Sequence, residues 1–210
     1  MWQANKISLE TKLIIFVKAP RPGSVKTRLA KSIGDDAAGA AYKTLVQRLI
    51  ENLRLLPRVE LRFAPDDGAA EIHPWLQKGW QLRPQGHGEL GEKLRRAFQE
   101  SFDAGAKRVL IIGSDCPAIV AADIEMAGAA LVTCEVVLGP ATDGGYWLIG
   151  LRHPEPSLFE NIPWSTATVL EMTLSRIRER KLSCHVLREL SDIDLLVDWE
   201  KFLSSNDSVK

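Results

Sequence analysis

The chain carries no surplus of charge. Lys and Arg number 27 and Asp and Glu number 27 over 210 residues. A protein that gathers nucleic acid or anionic membrane over its whole surface would show a basic excess, so neither is expected as a partner. Cysteine is scarce: Cys116, Cys134 and Cys184 form an odd, widely spaced set without CxxC or Cys/His metal spacing. That argues against a disulfide framework and for reduced thiols in a cytoplasmic setting. No apolar run approaches the ~18 residues that a membrane span needs. The polar opening MWQANKISLETK also lacks the apolar core of a secretory signal. There is no G-x-S-x-G and no evident nucleophile–base pair, so nothing points to covalent catalysis.

What is present suits one globular domain spanning 1–210, with a core of about 12–204. The composition is 45% hydrophobic and 26% charged, and the chain is long enough to bury a full core. KLIIFVKA (12–19), VELRFAP (59–65), RVLIIG (108–113), EVVLGP (135–140), the end of ATDGGYWLIGL (141–151) and SCHVLREL (183–190) read as strands. Helical spacing runs from Asp35 or Asp36, as N-cap, to Leu56. Further helices are expected over 90–105, about 121–131, 165–181 (opened by Ser165 or Thr166) and LLVDWEKFLSS, with 73–91 mostly loop and room for a short helix. Strands alternating with helices predict a three-layer α/β/α sandwich around a mostly parallel sheet.

The loop after the first strand, VKAPRPGSVKTRLAKSIG, holds Lys18, Arg21, Lys26, Arg28 and Lys31. A Walker-type phosphate loop fails on spacing: Val25 stands where a glycine is required, and only two residues separate Gly23 from Lys26. Two readings remain, a solvated basic loop and a polyphosphate cradle at a strand's carboxyl end, where open α/β sheets bind ligands. The cradle would use Lys18, Gly23, Lys26, Thr27 and Arg28. IIGSDCPAI sets Asp115 just past a buried strand, either as a turn residue or as a carboxylate facing Mg²⁺ and phosphate. Cys116 beside it reads as a small buried residue.

GPATDGGYWLIGL offers Asp143, to orient a substrate hydroxyl or join a metal shell. Gly144 and Gly145 allow close backbone approach, and Tyr146 or Trp147 could stack on a ring; a plain Asp-Gly turn is the alternative. SDID places Asp192 and Asp194 two apart, so both point one way if extended. One metal ligand and one N-cap for the last helix is the economical division. Gly86 and Gly88, around His87 before a helix, suit a nucleobase or sugar. One basic loop and acidic groups at three later strand ends match the layout that holds Mg²⁺ with a nucleotide polyphosphate.

The stretches VKAPRPGSVKTRLAKSIG, QGHGELGEKL, LIIGSDCPAI, LGPATDGGYWLIGL, PWST and LSDID, in this order, resemble a bacterial family provisionally described as glycosyltransferases, formerly a domain of unknown function. It belongs to the nucleotide-diphospho-sugar transferase (GT-A-like) superfamily, beside molybdenum-cofactor and phospholactate guanylyltransferases. The resemblance runs from about Leu13 to Asp194. It implies a GT-A-like fold, phosphate handling by Lys18, Lys26 and Arg28, and Mg²⁺ (or Mn²⁺) on Asp115 and Asp194. Catalytic roles are then expected for Lys26, Arg28, Asp115 and Asp143, with a nucleotide or nucleotide-sugar and a small acceptor as substrates. Transfer of a glycosyl group leads, nucleotidyl transfer with pyrophosphate release is the alternative, and a non-catalytic nucleotide binder is a third. In one place the chain departs from the family pattern: Leu195, Leu196, Val197 and Asp198 stand where Thr-Pro-Glu-Asp often follows DID. That departure puts the turn into the last helix in question and leaves Asp192 as a rival metal ligand.

Overall fold

A computed structural model describes residues 10–207, so the polar segment 1–9 lies outside them. β1 (Thr11–Lys18), β2 (Val59–Ala64), β3 (Gln81–Pro84), β4 (Arg108–Ile112), β5 (Val136–Pro140), β6 (Tyr146–Leu151) and β7 (Cys184–Val186) form one sheet in the order β3-β2-β1-β4-β6-β5-β7. All neighbours are parallel except those of β6, which runs against both β4 and β5. The start of β6 therefore lies at the same edge as the end of β4, and this brings the Asp-Gly-Gly turn to the ends of β1 and β4.

Helices flank the sheet: α1 (Thr27–Ile33), α2 (Asp35–Leu53), α3 (Ala69–Ile72), α4 (Leu90–Asp103), α5 (Ala121–Ala130), α6 (Val169–Glu179) and α7 (Leu196–Asp207). Alternation along β1 sends Leu13, Ile15 and Val17 to one face, where Tyr42, Val46 and Leu49 of α2 and Ile124 of α5 meet them. Ile14 and Phe16 go to the other face, against Leu94 and Phe98 of α4. The expected sandwich is the observed one. Among the described residues no helix is long and apolar enough to cross a membrane.

The structure departs from the sequence expectations in four places. The basic loop contains a two-turn helix, α1. Gly34, not Asp35 or Asp36, occupies the cap position of α2, and the two aspartates lie in its first turn, where a carboxylate complements the helix dipole. β3 occupies part of the stretch read as loop; it is short, lies at the sheet edge and ends in Pro84, where a missing N–H costs nothing. α6 begins at Val169 rather than Ser165 or Thr166, because Ser165 is left-handed (φ 65°) and 165–168 form turns.

Charge is buried on the α4 side of the sheet. Glu60 of β2 is fully buried, 2.7 Å from the Lys12 ammonium and 2.5 Å from the Arg62 guanidinium. Burial alone would raise its carboxyl pKa, but the two cations outweigh that and hold it below the usual range. Arg62 also reaches Glu100 of α4 at 2.7 Å, tying helix to sheet. Glu60→Ala leaves the half-buried Lys12 ammonium without its carboxylate and the buried Arg62 with Glu100 alone. It should cost about 3–5 kcal/mol of stability, read as a lower urea midpoint, with the fold retained.

Candidate functional site

The carboxyl ends of β1 and β4 and the loop after β7 converge on one ammonium group. Beyond β1 the chain turns tightly: Ser24 N–H donates to Arg21 O (3.1 Å), and Gly23 takes φ 74°. Arg21 is gripped by Glu71 of α3 (2.6 Å) and Asp67 (3.1 Å), so this cation shapes the loop. Lys26 then adopts left-handed backbone (φ 49°, ψ 42°) at the cap position of α1. That conformation is unfavourable for a residue with a Cβ and persists where surroundings over-determine it.

Here the surroundings are two carboxylates. The Lys26 side chain is 1% exposed, with Nζ 2.5 Å from Asp115 Oδ1 and 3.1 Å from Asp194 Oδ1. Burial would lower the ammonium's pKa, yet the two aspartates outweigh it and hold it above the ordinary lysine range. Arg28 Nη1 adds a longer contact, 3.6 Å, to Asp194 Oδ2. Both aspartates keep an open side: Asp115 is 48% and Asp194 36% exposed. Lys18, Thr27 and Lys31 are not drawn into this cluster by any hydrogen bond or ion pair of their side chains among the described residues, and Lys18 is exposed at the end of β1.

The framework around the cluster comes from residues that sequence reasoning passed over. The Lys18 N–H donates to the Tyr42 hydroxyl (2.8 Å), which shares a second bond with Ser114 Oγ (2.8 Å). Tyr42 of α2 thus ties the end of β1 to the residue before Asp115. Its phenol is pushed above the ordinary range, by burial first and by the Asp115 charge second, so it stays neutral. On the other side, Arg188 makes a two-pronged pair with buried Asp123 (2.7 Å to each oxygen), and its carbonyl accepts the Trp147 indole N–H at 3.1 Å. Trp147 is thereby committed to packing, which corrects its reading as a ring-stacking residue. Ile193 N–H donates to Asp115 O (3.1 Å), fastening the Asp192–Asp194 loop to the end of β4. Nothing local in the sequence marks Tyr42 or Arg188; their roles exist only once distant strands are adjacent.

The spacing left one of Asp192 and Asp194 as the helix cap, and the structure uses neither: Asp194 pairs with Lys26, and Asp192 is half-buried beside the cluster. Burial first, then Asp115 and Asp143, push its carboxyl up to about 7. The capping falls to Asp198, whose carboxylate accepts the N–H of Asp194 (3.3 Å) and Leu195 (2.9 Å). Asp198 keeps the turn into α7 despite the altered segment. Cys116 is buried as expected, and burial drives its thiol up to about 12. In the Asp-Gly-Gly turn, Asp143 accepts the Gly145 N–H at 2.9 Å, and Gly144 is left-handed (φ 86°) with Leu170 N–H on its carbonyl (2.9 Å). The hydroxyl of Tyr146 is buried and its ring stands edge-on to Trp164, 6.5 Å between centroids.

Gly86 and Gly88 lie two strands away, after β3. Gln85 anchors that loop to Val17 O (3.1 Å) and Arg62 O (3.0 Å), while Arg96 of α4 binds the carbonyls of Gln85 and His87. Gly86 is left-handed (φ 75°), a backbone that favours glycine, and any side chain there would also displace the Arg96 guanidinium. The structure thus gathers Lys26, Arg28, Asp115 and Asp194, with Asp192 and Asp143 near enough to bias one another's charge. Gly86, Gly88 and Lys18 sit elsewhere along the same edge.

Among the described residues no group of three or more His, Cys, Asp or Glu is close enough to hold a metal by itself. Two exposed carboxylates do fit Mg²⁺ or Mn²⁺ when phosphate oxygens and water complete the shell, since such ions commonly take one or two protein carboxylates.

This architecture is the fold of the nucleotide-diphospho-sugar transferases. Residues 52–166 match the family described as uncharacterized protein conserved in bacteria (DUF2064), and the chain belongs to that family. A solved structure from Desulfovibrio desulfuricans G20, provisionally named a nucleotide-diphospho-sugar transferase, is similar at 33% identity and TM-score 0.87. The match covers 94% of this chain and 87% of that one. A CMP:2-keto-3-deoxy-manno-octonic acid synthetase complexed with CTP shares the fold at 9% identity, covering 95% and 99%, TM-score 0.61. A Mycobacterium tuberculosis H37Rv protein in complex with manganese shares it at 12%, covering 93% and 98%, TM-score 0.52. No curated protein matches the chain.

Asp192 also yields a pH prediction. Its folded pKa lies above the unfolded value, so the folded state binds the extra proton between pH ~4 and ~7. Stability from this group is therefore present at low pH and lost as pH rises through about 7. Asp192→Asn should raise stability at pH 8 by about 2–4 kcal/mol and change little at pH 4. Urea denaturation at the two pH values reads this out.

Proposed function

We propose that the protein is a metal-dependent transferase acting on an activated nucleotide, with glycosyl transfer from a nucleotide-diphospho-sugar as the leading chemistry. The observation that carries this reading is Lys26, buried between two half-exposed carboxylates at the carboxyl edge. A lysine held that way is charged, oriented and already desolvated, as a group that meets a phosphate must be. The CTP and the manganese in the two more distant structures support a nucleotide and a divalent ion in this fold.

In this reading Lys26 and Arg28 neutralise the phosphates and draw the bond to be cleaved toward the acceptor. Asp115 and Asp194 hold the ion, which when bound supplies positive charge to the departing phosphate oxygens. Asp192 stays half protonated near neutrality beside them and limits the negative charge the ion must offset. Asp143, fixed by the Gly145 N–H, orients the acceptor hydroxyl and takes part of its proton's charge; Gly144 and Gly145 let the substrate approach the backbone. Gly86 and Gly88 border the base or ribose, with Lys18, Gly23 and Thr27 at the phosphate end. Nucleotidyl transfer is the second reading, favoured by the density of cations on the β1 loop, which suits a triphosphate.

Titration calorimetry with nucleotide-sugars and NTPs, with Mg²⁺ and again with EDTA, tests the class. One ligand should bind at least tenfold tighter with the metal, and pyrophosphate release on adding acceptors separates the two chemistries. Equal binding in EDTA would remove the metal from the account. A sharper expectation concerns Lys26→Met. Without its ammonium the two aspartates lose their internal counter-ion, so the nucleotide-free variant should bind Mn²⁺ about tenfold or more tightly than wild type, a gain of ~1.4 kcal/mol or more. Its nucleotide affinity should fall. Asp115→Asn should lose Mn²⁺ binding in either background.

A further inference from the structure

Between the start of α4 and the 156–164 segment lies a pocket of about 520 Å³ that the roles above leave unused. Its size is within the range of small-molecule sites. One wall is the first turn of α4 with Glu89, Glu92 and Arg95; the other is the 156–164 segment with Glu160, Asn161 and Trp164. The first wall continues directly from the Gly86–Gly88 loop. The second meets the Asp-Gly-Gly turn, because Trp164 stands against Tyr146 and Ala167 packs on Gly144.

We propose that this pocket receives the acceptor, and that the acceptor is an uncharged, hydroxyl-rich molecule of sugar or polyol type. The proposal rests on the transferase reading and names the substrate class that completes it. Charge is the first argument. Three carboxylates face one guanidinium, so a phosphorylated or carboxylated acceptor would be repelled despite the nearby helix N-terminus. Two of those carboxylates are fixed in place: Glu89 and Glu92 each accept the other's backbone N–H in a reciprocal cap.

The balance of donors and acceptors is the second argument. Trp164 is partly exposed and its indole N–H has no acceptor among the described residues, whereas those of Trp80 and Trp147 reach backbone carbonyls at 3.3 and 3.1 Å. An ammonium ligand could use the carboxylates but not an N–H donor. A hydroxyl uses both, accepting from Trp164, Arg95 or Asn161 and donating to a glutamate. The indole face adds the apolar surface against which the C–H side of a sugar ring packs.

The third argument is how closely the walls approach. A Cβ on Gly91 would lie 2.6 Å from Trp164 Nε1 and 2.8 Å from Phe159 O. Glycine at 91 therefore lets the indole sit over the first turn of α4, and Asn161 and Ser165, both left-handed at φ 51° and 65°, bracket the segment that delivers it. The left-handed backbone of Ser165, unfavourable for a residue with a Cβ, directly follows the tryptophan and fixes the chain that presents its ring.

Ligand-observed saturation-transfer NMR tests this with methyl glucoside and myo-inositol as neutral probes, and with glycerol 3-phosphate and spermidine as charged ones. Wild type should transfer saturation to the neutral probes and not to the phosphate. Trp164→Phe, which keeps the ring against Tyr146 but removes the N–H, should weaken neutral-probe binding at least fivefold. Glu160→Gln, an exposed site that should fold normally, should weaken it and admit the phosphate. Stronger binding of either charged probe, unchanged binding in Trp164→Phe, or no transfer to any neutral probe would overturn the proposal. Nucleotide binding by wild type is measured separately: its failure would sink the transferase reading, whereas failure of the polyol arm alone would sink only the pocket assignment.

Discussion

Everything at the carboxyl edge depends on a single buried ammonium. Two aspartates from segments roughly 80 residues apart in sequence cannot sit side by side at the end of a sheet without a counter-charge. Lys26 supplies it, and to do so adopts a backbone conformation that only surrounding contacts can sustain. The Arg21 clamp, the Tyr42–Ser114 bond, the Arg188–Asp123 pair and the Ile193–Asp115 bond each fix one of the segments that meet there. An ammonium so placed has the sign, though only half the charge, of the divalent ion proposed for these carboxylates. In the proposed reading the same lysine keeps the site compact when empty and turns to phosphate when nucleotide and metal arrive together.

The cluster works against stability in a way typical of sites under functional constraint. Desolvation first and the neighbouring carboxylates second raise the half-buried Asp192 carboxyl to about 7, and among the described residues no cation touches it directly. Elsewhere the chain pairs buried charge carefully, as Glu60 with Lys12 and Arg62 shows. Cost accepted at the carboxyl edge and avoided in the sheet interior is the pattern expected where charge has a task beyond folding.

Much of this was legible in the sequence, for identifiable reasons. Buried strands such as RVLII announce themselves as continuous apolar runs, and strand–helix alternation then constrains the layers. Asp115 could be named because it follows a buried strand at a recognisable break, whereas only the family resemblance singled out Asp194 over Asp192. The partner of Lys26 could not be read, since it depends on β4 lying next to β1 and on the loop after β7 folding back over both. For the same reason the spacing of Asp192 and Asp194 suggested one of them as the helix cap, a role that Asp198 performs: spacing shows which way two carboxylates point, not what each one meets. β3 escaped notice because a four-residue edge strand ending in proline carries almost no periodicity. Only the three-dimensional proximity of Gly91 and Tyr146 shows how the Trp164 ring is presented.

The central claim is that Asp115 and Lys26 meet the metal and the phosphates of one nucleotide in one place. Electron–nuclear double resonance on Mn²⁺ bound to the protein with nucleotide tests it most directly, because phosphorus coupling reports phosphate oxygen in the metal's shell. The account predicts strong ³¹P coupling in wild type and its disappearance, with the bound Mn²⁺, in Asp115→Asn. Tight nucleotide binding with no ³¹P coupling, or coupling that survives Asp115→Asn unchanged, would contradict it.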